Sequence, residues 1–128
     1  MFDRVTQSTP KVFIVDDDEA VRFAISLLVE TWGLEAKAFA SANEFVEAVS
    51  PGQEAGCLVL DLNMPEITGA DLLEQTTVTM PVIVITGFAD SPLAKRAREA
   101  GVQAVLKKPF NDEILMGHIC QALGIQPS

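Results

Sequence analysis

Apolar and polar positions follow two periods along this chain. KVFIV at 11–15, CLVL at 57–60 and VIVIT at 82–86 are short, rich in β-branched residues and almost wholly apolar. Strands buried on both faces of a parallel sheet read this way. AVLK at 104–107 is a weaker run of the same kind, and LEAKAFA at 34–40 alternates with period two, as a half-exposed edge strand does. Between these runs the period becomes helical. From Glu19 to Trp32 apolar residues at 21, 24, 25, 28 and 32 form one stripe, with Asp18 placed to cap its start and Gly33 its end. Ser41 with Glu44 is a capping box that opens a helix to about Val49, stopped by Pro51 and Gly52. A short helix is predicted over about Gly69–Gln75 and another over Pro92–Ala100, with proline in its first turn and Gly101 at its end. The last spans Asp112–Leu123, with Ile114, Leu115, Ile119 and Ala122 on one face.

The sum is (βα)5. Crossovers between parallel strands are right-handed, which predicts a doubly wound α/β fold: an open five-stranded parallel sheet with helices on both faces. In such sheets ligands sit beyond the carboxyl ends of the strands. The residues that matter are therefore those just after each strand.

Composition narrows the field. The 128 residues fit one domain, and the 48% hydrophobic fraction supports a core and excludes disorder. The sequence divides into an N-terminal extension over 1–10, a domain over 11–124 and a tail or linker start over 125–128. A formal net charge of −9 argues against direct nucleic-acid binding and suits cations or a basic partner. Cys57 and Cys120 both fall in apolar surroundings, as small hydrophobes rather than a zinc pair or a disulfide. No apolar run approaches the ~18 residues that span a membrane, and MFDRVTQSTP lacks the apolar stretch of a signal peptide. A reduced, cytoplasmic setting is the expectation.

The strand ends carry a specific chemical set: Asp16, Asp17 and Asp18 after the first, Asp61 after the third, Thr86 and Gly87 after the fourth, Lys107, Lys108 and Pro109 after the fifth. Taken singly these are ordinary residues. Asp18 is a helix cap, Asp16 or Asp17 a turn residue, Lys108 a solvated charge. His118, the sole histidine, reads as partly buried structure, and Lys95, Arg96 and Arg98 as a solvated helix face or a partner surface. Joint placement changes the reading. Two carboxylates ~4 Å apart repel by about 4 kcal/mol at an effective dielectric near 20. A protonated carboxyl or a bound cation relieves this, and oxygen ligands point to Mg²⁺ or Mn²⁺. With a lysine and a hydroxyl added, the set can hold a phosphoryl group in transit, and a carboxylate can itself be the nucleophile.

At this point VFIVDDDEAVR, LVLDLNMPEITG, PVIVITG and LKKPF, in that order, resemble the receiver domain of bacterial two-component response regulators, over about Lys11–Leu123. The receivers it is most similar to are those paired with LuxR-type helix-turn-helix output domains. The resemblance implies a flavodoxin-like, CheY-like strand order 2-1-3-4-5. It implies that Asp61 is the phosphoacceptor, charged by a sensor histidine kinase, a histidine phosphotransfer protein or a small phosphodonor. Asp16 and Asp17 would hold Mg²⁺ with Asp61, and Asn63 would add its backbone carbonyl. Thr86 would meet the phosphoryl oxygen and Lys108 would pair with it, with a cis Lys108–Pro109 bond. An output domain or a homodimer would read the switched state, and the only catalysis would be the domain's own phosphorylation and dephosphorylation.

The sequence departs from that family at Val105, where many receivers carry a switch Phe or Tyr. Valine cannot swing a ring into the space Thr86 vacates. The segment EQTTVTM is short and predicts a short third helix. Phe88, two residues past Thr86, is expected to shield the phosphoryl group from water. The alternative from another class is a haloacid-dehalogenase-type Mg²⁺-dependent phosphatase, whose nucleophile and second Asp would be Asp16 and Asp18. Ala20 fits that motif poorly, and the chain has no room for a cap domain.

Overall fold

The structure, a computed structural model, describes residues 10–49, 56–75 and 78–126. The elements run β1 (Lys11–Val15), α1 (Glu19–Thr31), β2 (Glu35–Phe39), α2 (Ala42–Ala48), β3 (Gly56–Asp61), α3 (Gly69–Gln75), β4 (Val82–Thr86), α4 (Pro92–Glu99), β5 (Ala104–Lys107) and α5 (Asp112–Leu123). All five strands pair in parallel, in the order β2-β1-β3-β4-β5. The runs read as doubly buried strands lie at the centre, and the two weaker ones form the edges. The Pro51–Gly52 stop and the ends of the chain (1–9, 127–128) lie outside the described residues.

Period-two alternation in β1, β3 and β4 sends successive side chains to opposite faces. Phe13, Val15, Leu58, Leu60, Val82 and Val84 join one core with α2, α3 and α4 residues such as Phe45, Leu72, Ala94 and Ala97. Val12, Ile14, Cys57, Val59, Ile83 and Ile85 join the other, with Ile25 and Val29 of α1 and Leu115, Met116 and Ile119 of α5. Cys57 and Cys120 are buried free thiols, and burial pushes the Cys57 thiol up to about 12.

The caps are local and follow the sequence. Asp18 accepts from the Ala20 N–H, and Gly33 takes φ 82°. Ser41 Oγ accepts from the Glu44 N–H at 3.1 Å, while Glu44 Oε1 accepts from the Ala40 N–H, one residue further out than in the usual box. Ser91 caps α4 and Asn111 caps α5.

Two helix faces hold in the main and differ from expectation at single positions. On α1 the fully buried residues are Ile25 and Val29, whereas Ala24 is exposed and lines a groove with Leu28, Lys108, Pro109 and Phe110. Phe23 and Leu27 are exposed as well. Val21, Leu28 and Trp32 of the expected stripe pack against the same core as Ile25, so only Ala24 leaves the stripe and Val29 joins it. On α5 Ile114 is 54% exposed, and the buried row is Leu115, Met116, Ile119 and Cys120. Met116 and Cys120 join Leu115 and Ile119 in the buried row and Ile114 turns outward, while Ala122 packs against the core as expected. Arg96 also departs from the solvated face assigned to it. Its guanidinium reaches across to α3, with Nη2 3.0 Å from Asp71 Oδ1 and Nε donating to Glu74 Oε2 at 2.9 Å. His118 is half-buried as expected, and its carbonyl accepts from Gln103 Nε2.

Candidate functional site

The carboxyl ends of β1, β3, β4 and β5 meet at one rim. Asp61 is the last residue of β3 and Thr86 the last of β4. Asp16 and Asp17 follow β1, and Lys108 follows β5. Among the described residues, Asp16, Asp61 and Thr86 are the buried polar ones. Each of Asp16, Asp17 and Asp61 offers a carboxylate oxygen within 4.8 Å of the others.

Asp16 is held on all sides. Its Oδ1 accepts from the Asp18 N–H at 2.9 Å, its Oδ2 lies 3.2 Å from Lys108 Nζ, and its carbonyl accepts from Arg22 Nη1 at 2.8 Å. Asp61 Oδ1 accepts from the Asn63 N–H at 3.1 Å and sits 3.6 Å from Lys108 Nζ. Burial pushes the Asp61 carboxyl up to about 6, with the charge of Asp16 adding to it; the Asn63 N–H and Lys108 pull the other way. Burial pulls the Lys108 ammonium down, but the charges of Asp61 and Asp16 outweigh it and hold it above the usual lysine range. Lys107 is exposed, and Lys108–Pro109 is cis.

The loop after Asp61 is anchored at both ends. Leu62 N–H donates to the Ile85 carbonyl and Gly69 N–H to the Leu62 carbonyl. Met64 is buried in the core beneath it, Pro65 is exposed, and Glu66 takes φ 68°. Thr68 and Asp71 cap α3 reciprocally: Thr68 Oγ1 accepts from the Asp71 N–H at 3.0 Å, and Asp71 Oδ2 from the Thr68 N–H at 3.1 Å.

Thr86 turns its hydroxyl to Asn63, donating to Oδ1 at 2.6 Å, and accepts from the Phe88 N–H at 3.0 Å. The Asn63 side chain was not among the groups singled out from the sequence, where only its carbonyl was considered. Phe88 is 68% exposed. Val105 pairs with Val84 and packs against the α4-side core, so no ring occupies this position.

Asp18 does not join the acidic set. It is exposed and its side chain is committed to the α1 cap, which removes the second carboxylate that a haloacid-dehalogenase-type nucleophile needs.

The response regulator receiver domain family matches residues 12–120. The chain belongs to that family. It is 44% identical over 120 residues to the response regulator protein TmoT of Ectopseudomonas mendocina, covering 91% of this chain and 54% of that protein. It is 39% identical to the transcriptional regulatory protein FixJ of Azorhizobium caulinodans, covering 88% of this chain and 54% of that one. The chain thus spans about half the length of the curated relatives it matches. Among solved structures, the response regulator StyR superposes with TM-score 0.83 at 40% identity, covering 91% of this chain and 60% of that one. FixJ-N does so with TM-score 0.80 at 34% identity, covering 95% and 99%. The phosphatase alternative finds no support in these likenesses, and the receiver family carries the CheY-like strand order seen here.

Proposed function

We propose that this receiver is a phosphorylation-controlled switch in which Asp61 accepts a phosphoryl group from a histidine of a sensor kinase or phosphotransfer protein, or from a small acyl phosphate. The observation that carries this is the buried Asp61 carboxylate at the end of β3, with Lys108 Nζ 3.6 Å away and the carboxylates of Asp16 and Asp17 gathered beside it. In transfer, an Asp61 carboxylate oxygen forms the new O–P bond as the donor's P–N or P–O bond breaks, and the donor leaves with that bonding pair. Asp16, Asp17 and Asp61, with the Asn63 carbonyl, suit a hard divalent cation and would hold Mg²⁺, or Mn²⁺ in its place. When bound, the ion supplies charge neutralisation for the incoming phosphoryl group. Lys108 is already positioned to counter the added charge, and its pairing with Asp16 keeps it at the rim. Later attack by water on phosphorus releases phosphate and restores the carboxylate, so the domain's own turnover is the only catalysis in this reading.

An acyl phosphate on Asp61 adds about −1.5 to −2 charges. It draws Thr86 and Lys108 inward and biases the surface around α4 and β5. A second copy or an attached output domain reads that surface. The relatives' greater length and the transcriptional role in FixJ's name favour a helix-turn-helix output in a longer cytoplasmic regulator. The exposed apolar flank of α1, Phe23 and Leu27, lies beside the rim groove and suits a protein donor.

The test is uptake from acetyl phosphate, read by intact mass. One phosphoryl group per chain is expected with Mg²⁺ and none after chelation; uptake indifferent to the metal would refute the metal assignment. Phe88→Ala is expected to shed its phosphate faster in a chase without donor. An unchanged or slower loss would remove Phe88 as a shield.

A further inference from the structure

With valine at position 105, the switch lacks an aromatic partner for Thr86, and the rim supplies a different one. Thr86 is fully buried, so its hydroxyl needs both an acceptor and a donor. The Phe88 N–H provides the donor, which leaves the hydroxyl proton for Asn63 Oδ1 at 2.6 Å, the short end of the O–H···O range. Asn63 thereby bridges the site twice: its backbone N–H holds the Asp61 carboxylate, and its side-chain amide holds the Thr86 hydroxyl.

We infer that Asn63 is a positioning residue whose side-chain amide holds Thr86 in the unphosphorylated state and sets how readily that hydroxyl transfers to a phosphoryl group on Asp61. The inference rests on Asp61 being the phosphoacceptor. A hydroxyl has one proton. It can donate to the Asn63 amide oxygen or to a phosphoryl oxygen, and the two bonds exclude each other. The anionic phosphoryl oxygen is the stronger acceptor, so phosphorylation drives the exchange. The amide bond is lost in doing so, and its net worth is subtracted from the stability of the switched state. Asn63 is exposed, so removing its side chain leaves no hole in the core. The coupling acts on an equilibrium between two Thr86 positions and needs no ring at 105.

The test is a double-mutant cycle read by titrating Mg²⁺-beryllofluoride, a phosphoryl stand-in, into the native chain, Asn63→Ala, Thr86→Val and the double variant. Asn63→Ala is expected to bind about three- to tenfold more tightly than the native chain, the worth of one net hydrogen bond. In the Thr86→Val background the same change should have no effect. The Thr86 methyl resonance of unliganded Asn63→Ala should also move toward its position in the liganded native chain. Equal or weaker binding by Asn63→Ala overturns the inference. So does an equal effect with and without the Thr86 hydroxyl, which would place the action of Asn63 on the ligand itself. Acetyl phosphate separates the two levels: a native chain that takes up phosphoryl while the cycle shows no coupling loses only the Asn63 role. A native chain that neither takes up phosphoryl nor binds beryllofluoride loses the phosphoacceptor reading and the Asn63 role together.

Discussion

Asp61→Asn is expected to take up no phosphoryl group from acetyl phosphate and, free of metal, to be more stable than the native chain above about pH 7. Both effects come from one buried oxygen pair. The amide keeps an oxygen for the Asn63 N–H but is no nucleophile toward phosphorus. The stability gain follows from the raised carboxyl, which titrates near 6 in the folded chain against an ordinary 3.8. Between these values the folded state holds the proton that the unfolded state has released, so native stability falls as pH rises through about 6. Fully ionised, the carboxylate costs up to about 3 kcal/mol, which asparagine does not incur. Denaturant titrations with chelator should show the gap open at about pH 8 and closed by about pH 4. A native chain as stable as the variant at high pH would mean that neither burial nor the charge of Asp16 penalises the ionised Asp61 carboxylate in the folded state. Stoichiometric uptake by the variant would move the acceptor to another residue.

The second large effect belongs to Gly69, the first residue of α3. A Cβ placed there would lie 2.5 Å from the Asp61 carbonyl oxygen and 3.0 Å from Leu62 Cα, both backbone atoms that have no rotamer to give. Gly69→Ala must push the loop after β3 away from α3 and carry the Asp61 backbone with it. A cost of about 1–3 kcal/mol is expected from overpacking. Displacement of a reacting group by about 1 Å can slow a reaction a hundredfold, so uptake should slow by at least about tenfold even where the variant is fully folded. Gly117→Ala is the matched control: on α5, with nothing within 4 Å of the added carbon, it should be neutral or stabilising by about 0.5–1 kcal/mol. Urea midpoints and initial uptake rates for the two variants check both halves. Equal behaviour of the two would show that α3 yields and that the close approach at Gly69 does not position Asp61.

What could be read directly was whatever depends on neighbours in the chain. Strand against helix followed from period, since a run such as VIVIT has nowhere to hide a polar face. Caps at Asp18 and Ser41 followed because a capping side chain reaches only two or three residues ahead. The acidic rim followed because a parallel sheet sets its strand ends side by side and the motifs fall there.

Other features needed residues far apart in the chain to be brought together. Arg96 reads as a surface base until α3 presents Asp71 and Glu74 to it across more than twenty residues of sequence. The stripe read on α1 placed Ile25 inward, but the burial of Val29 and the exposure of Ala24 emerge only once the helix is docked on the sheet. The elevation of the Asp61 carboxyl needs both its burial and the approach of Asp16. The Asn63–Thr86 bond joins the loop after β3 to the end of β4, and no local pattern encodes it. The sequence by itself determined the elements, their parallel order of use and the identity of the rim residues, because periodicity and capping act over a few residues. The tertiary structure decided which oxygen faces which donor and how strongly each charge is perturbed, because distance and desolvation exist only once the strands are side by side.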